Sequence, residues 1–132
     1  MSAGLDTSVV VRLLVGVPED QCSLAWNLVQ TEHDCGSPVC IADIVVTEAY
    51  FALVHHYAVP ASEAVAALKR LLHDPRITAE SAKTLLSDGK FKVASIHFID
   101  ALIHQHYAEA RCTFVTFDKK ASRMPGSRLL KG

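Results

Sequence analysis

The chain has 132 residues, half of them hydrophobic, enough for one domain with a core of its own. No apolar run approaches the roughly 20 residues of a membrane span, and no basic flank precedes the N-terminal apolar stretch as it would in a signal peptide. Net charge is −1, and Cys22, Cys35, Cys40 and Cys112 form no CxxC pair, so reduced core thiols of a cytoplasmic protein are expected rather than a disulfide or zinc framework.

Gly4 lies in a short predicted strand, Ala3 to Leu5, that ends at Asp6. Ser8 is a good N-cap residue, and Val9 and Leu13 follow at helical spacing, so a helix is expected from Val9. Glu19 to Thr31 reads as a second helix with Cys22, Ala25, Trp26 and Val29 on one face. After the breakers Gly36, Ser37 and Pro38, a strand is predicted from Val39 to Ala42. Asp43 is expected to cap a helix running to about Tyr57. Ala61 to Leu72 follows, with Ala64, Ala67, Leu68, Leu71 and Leu72 at core spacing. Arg76 to Thr78 reads as a brief strand, Ala79 to Leu86 as a helix, and Asp88-Gly89 as its stop. A long helix is predicted from Ala94 to Ala110, a strand from Thr113 to Phe117 with Phe114, Val115 and Phe117 buried, and an edge strand from Arg128 to Leu130. Strands alternating with helices imply a parallel sheet covered on both faces.

Four carboxylates stand out against this pattern. Asp6 and Asp118 close strands, and in open α/β sheets functional groups gather beyond the carboxyl ends of strands. If the two strands are parallel neighbours, the acids lie side by side. A lone strand-end Asp is otherwise a turn residue. Glu48 falls in a stretch from Ile44 to Val54 in which nine of eleven residues are apolar, so its helix is expected to be buried on most sides. A carboxylate there must be paired, neutral or metal-bound; an ion pair is the plain alternative. Asp100 lies at the edge of an apolar helix face, flanked by Ile96, Ile103 and Tyr107. Four converging carboxylates would repel unless cations neutralised them, and hard oxygen ligands suit magnesium or manganese. His97, Asp100 and His104 also share a predicted helical stripe, which could hold a softer metal or form a polar flank.

Charge is divided along the chain. Residues 1–66 hold eight acids and the single base Arg12; residues 67–132 hold twelve bases and six acids. After Asp118 come Lys119, Lys120, Arg123, Arg128 and Lys131 with no acid. Such a tail suits a phosphate-bearing substrate, or is a solvated end.

The blocks LDTSVVVRLL around Asp6, VVTEAYFAL around Glu48, FIDALI around Asp100 and TFDKKASRMPGSRLL from Asp118 occur in an order that resembles the PIN domain, and within it the VapC-type toxins of toxin–antitoxin pairs. The resemblance covers nearly the whole chain and implies a single domain over residues 1–132, a three-layer α/β/α sandwich with a central, mainly parallel sheet. It implies a magnesium- or manganese-dependent endoribonuclease whose acidic quartet is Asp6, Glu48, Asp100 and Asp118. Asp6, Asp100 and Asp118 would ligate the metal, Glu48 would place the attacking water, and Ser8 would orient Asp6. With RNA as the substrate, the basic tail read from the charge pattern, Lys119, Lys120 and Arg123, is expected to steer it. A homodimer and a cognate antitoxin are implied as partners. A PIN-like module that binds RNA or protein without cutting, and a PIN nuclease without an antitoxin, are the alternatives. The chain departs from the family in carrying Ser8 for the commoner Asn, Lys119, Lys120 and Ala121 where relatives add an acid, and His104 where Ala is usual.

Overall fold

A computed structural model describes residues 2–87, 91 and 97–131. These residues form six α-helices and four short strands: α1 Thr7–Val15, α2 Glu19–Asp34, β1 Val39–Ile41, α3 Asp43–His55, α4 Ala61–Leu72, β2 Ile77–Ala79, α5 Ser81–Ser87, α6 Phe98–Glu109, β3 Phe114–Thr116 and β4 Ser127–Leu129, with a 3-10 turn over Ala121–Arg123 before the last strand. The result is the expected α/β sandwich, and every described strand pairing is parallel.

β1 is the centre of the first ladder. Cys40 bridges Gly4 on one side and pairs with Thr78 of β2 on the other. Leu5 N–H donates to Cys40 O at 2.9 Å and Cys40 N–H to Ala3 O at 2.8 Å. The expected Ala3–Leu5 strand is therefore reduced to one bridge, but it runs in the expected place and direction. Each of these three segments leads straight into a helix, so the N-termini of α1, α3 and α5 share the carboxyl edge of the ladder. β3 pairs with β4 through Phe114↔Ser127, Val115↔Arg128 and Thr116↔Leu129. Among the described residues β3 has no ladder with the Gly4 segment. The side-by-side strands imagined for Asp6 and Asp118 are thus not formed.

Helical period decides most of the burial. α4 matches its predicted bounds, and Ala64, Val65, Leu68, Leu71 and Leu72 are buried while Ala67 is half-buried. In α2, Ala25 and Val29 are buried and Trp26 half-buried. The Trp26 ring lies 5.3 Å beneath the Arg76 guanidinium. Arg76 also grips Asp74 with two nitrogens, at 2.9 and 2.6 Å, and reaches Gln30 Oε1 at 2.9 Å. This fork pins the start of β2 onto α2. That hydrogen bond from Arg76 is the main reason the Asp74 carboxyl sits below its ordinary value.

Asp43 corrects an expectation. It begins α3 but does not cap it. Its carboxylate accepts from Ser81 N–H at 3.3 Å and Ala82 N–H at 3.0 Å, so it caps α5 across the ladder, while Glu80 Oε1 accepts Asp43 N–H at 3.2 Å. The reciprocal pair locks α3 to α5. At the same end of α5, buried Ser81 donates its hydroxyl to Glu109 Oε2 at 2.6 Å, tying α5 to the end of α6.

α6 starts at Phe98, with His97 extended at its N-cap and its Nδ1 accepting Ile99 N–H at 3.2 Å. The His97–Asp100–His104 stripe fails for this reason: His97 caps the helix rather than riding on it. Positions Ala94 to Ile96 of the predicted helix, and Asp88-Gly89, lie outside the described residues. Phe98 is buried against Tyr50, ring centres 5.1 Å apart, and fixes α6 on α3. Burial of Tyr50 raises its phenol above the ordinary value. The cysteines are free thiols, three exposed and Cys22 half-buried, which corrects the expected core thiols. Among the described residues no helix is long and apolar enough to cross a membrane.

Candidate active site

Asp6 is the N-cap residue of α1 and the helix begins at Thr7, each two positions earlier than the Ser8 cap and Val9 start the sequence suggested. Its carboxylate makes no capping bond. Instead Ser8 Oγ donates to Asp6 Oδ2 at 3.2 Å, so Ser8 serves the acid rather than the helix. An exposed carboxylate at a helix N-terminus is favoured by the helix dipole.

Thr7, which sequence reasoning passed over, is the bridge to the second acid. Its Oγ1 donates to Glu48 Oε1 at 2.9 Å, joining α1 to α3. Asp6 and Glu48 thereby meet at the carboxyl edge of the first ladder through adjacent residues. Glu48 itself is exposed, as are Ile44 and Phe51 on either side of it, with Ile44 at 70%. The count of apolar residues in α3 overstated its burial, and the cost of burying an ion does not apply to Glu48.

Asp100 stands half-buried in the first turn of α6, two residues after the Phe98 anchor. Asp118 follows β3. Thr116 Oγ1 accepts Asp118 N–H at 3.0 Å, and Asp118 Oδ1 accepts Lys120 N–H at 2.8 Å and Ala121 N–H at 3.1 Å. The acid organises the turn that carries Lys119, Lys120 and Arg123, all exposed. His104 Nε2 lies 2.6 Å from Pro125 O. A carbonyl can only accept, so Nε2 carries the proton, and the Asp118 turn is fastened to the helix of Asp100.

None of the four acids forms an ion pair with another described residue; the described pairs are Asp74–Arg76 and, at 3.8 Å, Asp43–His106. Among the described residues no group of three or more His, Cys, Asp or Glu side chains is gathered closely enough to hold a metal ion. The donor chemistry of the quartet, carboxylate oxygens only, suits a hard cation; its spacing is not that of a finished coordination sphere.

A family model described as "PIN domain" matches residues 4–127. The chain belongs to the PIN domain family. No curated protein and no solved structure matches it. PIN domains are generally nucleases, so the acids sit in a fold whose general activity is hydrolysis of nucleic-acid phosphodiesters. The match, from Gly4 to Ser127, spans the first three blocks and the fourth as far as Ser127, and includes all four acids. Thr7 and Thr116 are the supporting residues that motif reading missed, while His97 and His104, read as a possible metal stripe, instead cap α6 and hold the Pro125 carbonyl. A hydroxyl next to each strand-end acid (Thr7 and Ser8, Thr116) was the available signal.

Proposed function

We propose that this PIN domain is a divalent-metal-dependent endoribonuclease acting as the toxin of a toxin–antitoxin pair. The observation that carries the proposal is the Thr7–Glu48 hydrogen bond, which brings the strand-end acid Asp6 and the helix acid Glu48 to one edge of the sheet. Asp6, Asp100 and Asp118 would hold magnesium or manganese, and the bound cation would neutralise charge on the reacting phosphate. Thr7 engages Glu48 Oε1, and Oε2 is the atom we assign to orienting the attacking water. Ser8 orients Asp6 through Oδ2. Lys119, Lys120 and Arg123 meet the RNA backbone, and their charge steers it to the acids.

The toxin assignment is supported by the four ordered blocks. A second copy suits the exposed apolar face of α3 and α6, where Ile44 and Ile103 border a cavity of about 330 Å³. The antitoxin suits the α1–α2 groove of about 540 Å³, which opens beside Ser8 and exposes Leu24 and Leu28.

The test is cleavage of total RNA by the purified chain with magnesium or manganese and with chelator. Metal-dependent cutting, lost in Asp6→Asn while the fold persists, is expected. Cutting that survives Asp6→Asn would defeat the site assignment. One observation favours a second reading, a PIN module that binds RNA without cutting: the described residues gather no group of three metal-ligating side chains. RNA binding with no cleavage under any metal would select it.

A further inference from the structure

Strand alternation gives β3 and β4 one buried and one open face. Phe114 points inward and is buried; Val115 points outward. The register sets Val115 beside Arg128, and Leu130 N–H donates to Thr116 O at 2.8 Å, closing the last pair, Thr116 with Leu129, immediately before Phe117. Phe117 is 78% exposed, more than any other large apolar side chain among the described residues. The sequence pattern had placed it in the core.

Its support is firm. Residue 116 before it is held by Leu130, and the Asp118 N–H after it is held by Thr116 Oγ1. Asp118 in turn accepts two backbone N–H groups of the next turn. The ring is displayed from a backbone bonded on both sides, beside an acid assigned to catalysis. Apart from Asp118 the charge near it in the chain and across the ladder is basic: Lys119, Lys120 and Arg128 are exposed, and residues 119–131 hold no acid. The centre of a protein–protein interface is depleted of charge, whereas here the outward neighbours of the apolar side chains are bases. Aromatic rings interleaved with cations are what single-stranded nucleic acid requires, the ring taking a base face and the cations the phosphates.

We propose that Phe117 is a stacking platform for an unpaired base of single-stranded RNA, at the nucleotide next to the phosphate that approaches Asp118. The placement of that phosphate rests on the nuclease reading; the stacking does not. A base must leave its own stack to reach the ring, so the site selects single strands over duplex.

The test uses the whole chain in chelator, where no cutting occurs, and a short single-stranded RNA carrying 2-aminopurine at successive positions. Wild type should quench the fluorescence at one position. Phe117→Ala should lose that quenching and bind roughly tenfold more weakly, with an unchanged slope of affinity against salt, because no phosphate contact is lost. Phe117→Leu should behave like Phe117→Ala, and Phe117→Trp like wild type. The ring is exposed, so matching thermal melts should accompany all three. Wild-type binding and quenching by Phe117→Ala, equal performance by Phe117→Leu, or no binding by wild type would each overturn the proposal. So would a homodimer that Phe117→Ala dissociates with RNA affinity intact, which would make the face a contact between copies. Stacking without cleavage in added metal would leave this proposal standing and defeat the nuclease reading; cleavage with Phe117 dispensable for binding would do the reverse.

Discussion

Replacing Thr7 with valine removes one hydroxyl and little else. The side chains are nearly isosteric, and only the 2.9 Å bond to Glu48 Oε1 is lost. That bond is exposed, so its net contribution to stability is about 1 kcal/mol at most. For a chain of this length the melting temperature should fall by no more than about 3–5 °C. The effect on cleavage should be larger. Glu48 is exposed and Thr7 is its described hydrogen-bond partner across α1 and α3, so without it the carboxylate samples other rotamers. A loss of about tenfold in kcat, or roughly 1.4 kcal/mol of barrier, is expected. The decisive assay is a double-mutant cycle. Glu48→Gln should reduce cleavage on its own, and adding Thr7→Val to it should cost nothing further. Thr7→Ser, which keeps the donor, should cleave like wild type. Full additivity of Thr7→Val and Glu48→Gln would refute the reasoning, because it would mean that Thr7 does not act through Glu48.

The Asp43→Ala substitution should destabilise the fold by about 2 kcal/mol, since it strips two acceptor contacts from the start of α5; Asp43→Asn should recover much of this in urea melts. Asp74 and Glu109 are both held below their ordinary values of 3.8 and 4.5, Asp74 chiefly by Arg76 and Glu109 chiefly by Ser81 and then Gln105. A depressed carboxyl contributes stability that is complete above its unfolded value and lost as pH falls through the folded one. The urea midpoint should therefore stay level from neutrality to about pH 5 and drop below about pH 4, and Asp74→Asn with Glu109→Gln should flatten that drop. Reversing Lys119, Lys120 and Arg123 to Glu should weaken RNA binding and flatten its salt dependence, while an unchanged salt slope would reduce them to a solvated face.

The legible parts of the fold were those fixed by local period. α4 buries nearly every residue its spacing nominated, because a helix presenting Ala64, Leu68 and Leu71 on one side has only one way to face a core. The family was legible because four short blocks carry the acids in order. Misreadings arose where the partner is not the one the local pattern nominates. Ser8 looked like a cap because hydroxyls usually are; its acceptor is the carboxylate two residues earlier. Asp43 looked like a cap for its own helix, but the amides it binds are nearly forty residues away. Ile44 and Phe117 were assigned to the core because they are apolar, and apolarity does not entail burial when no neighbour covers the face. The resemblance grouped Asp6 with Glu48, but the link between them was not legible, since it passes through Thr7, a residue with no motif of its own.

The central claim is that Asp6, Asp100 and Asp118 serve one cation, and a thermal melt in manganese against chelator tests it most directly. A ligand that binds only the native state at about a hundred times its dissociation constant stabilises by about 2.7 kcal/mol. Wild type should therefore melt about 10 °C higher in saturating manganese than in chelator. Asp6→Asn and Asp100→Asn, each folded in chelator, should show little or no rise. An equal rise in wild type and both variants, or no rise in wild type, would contradict the metal site.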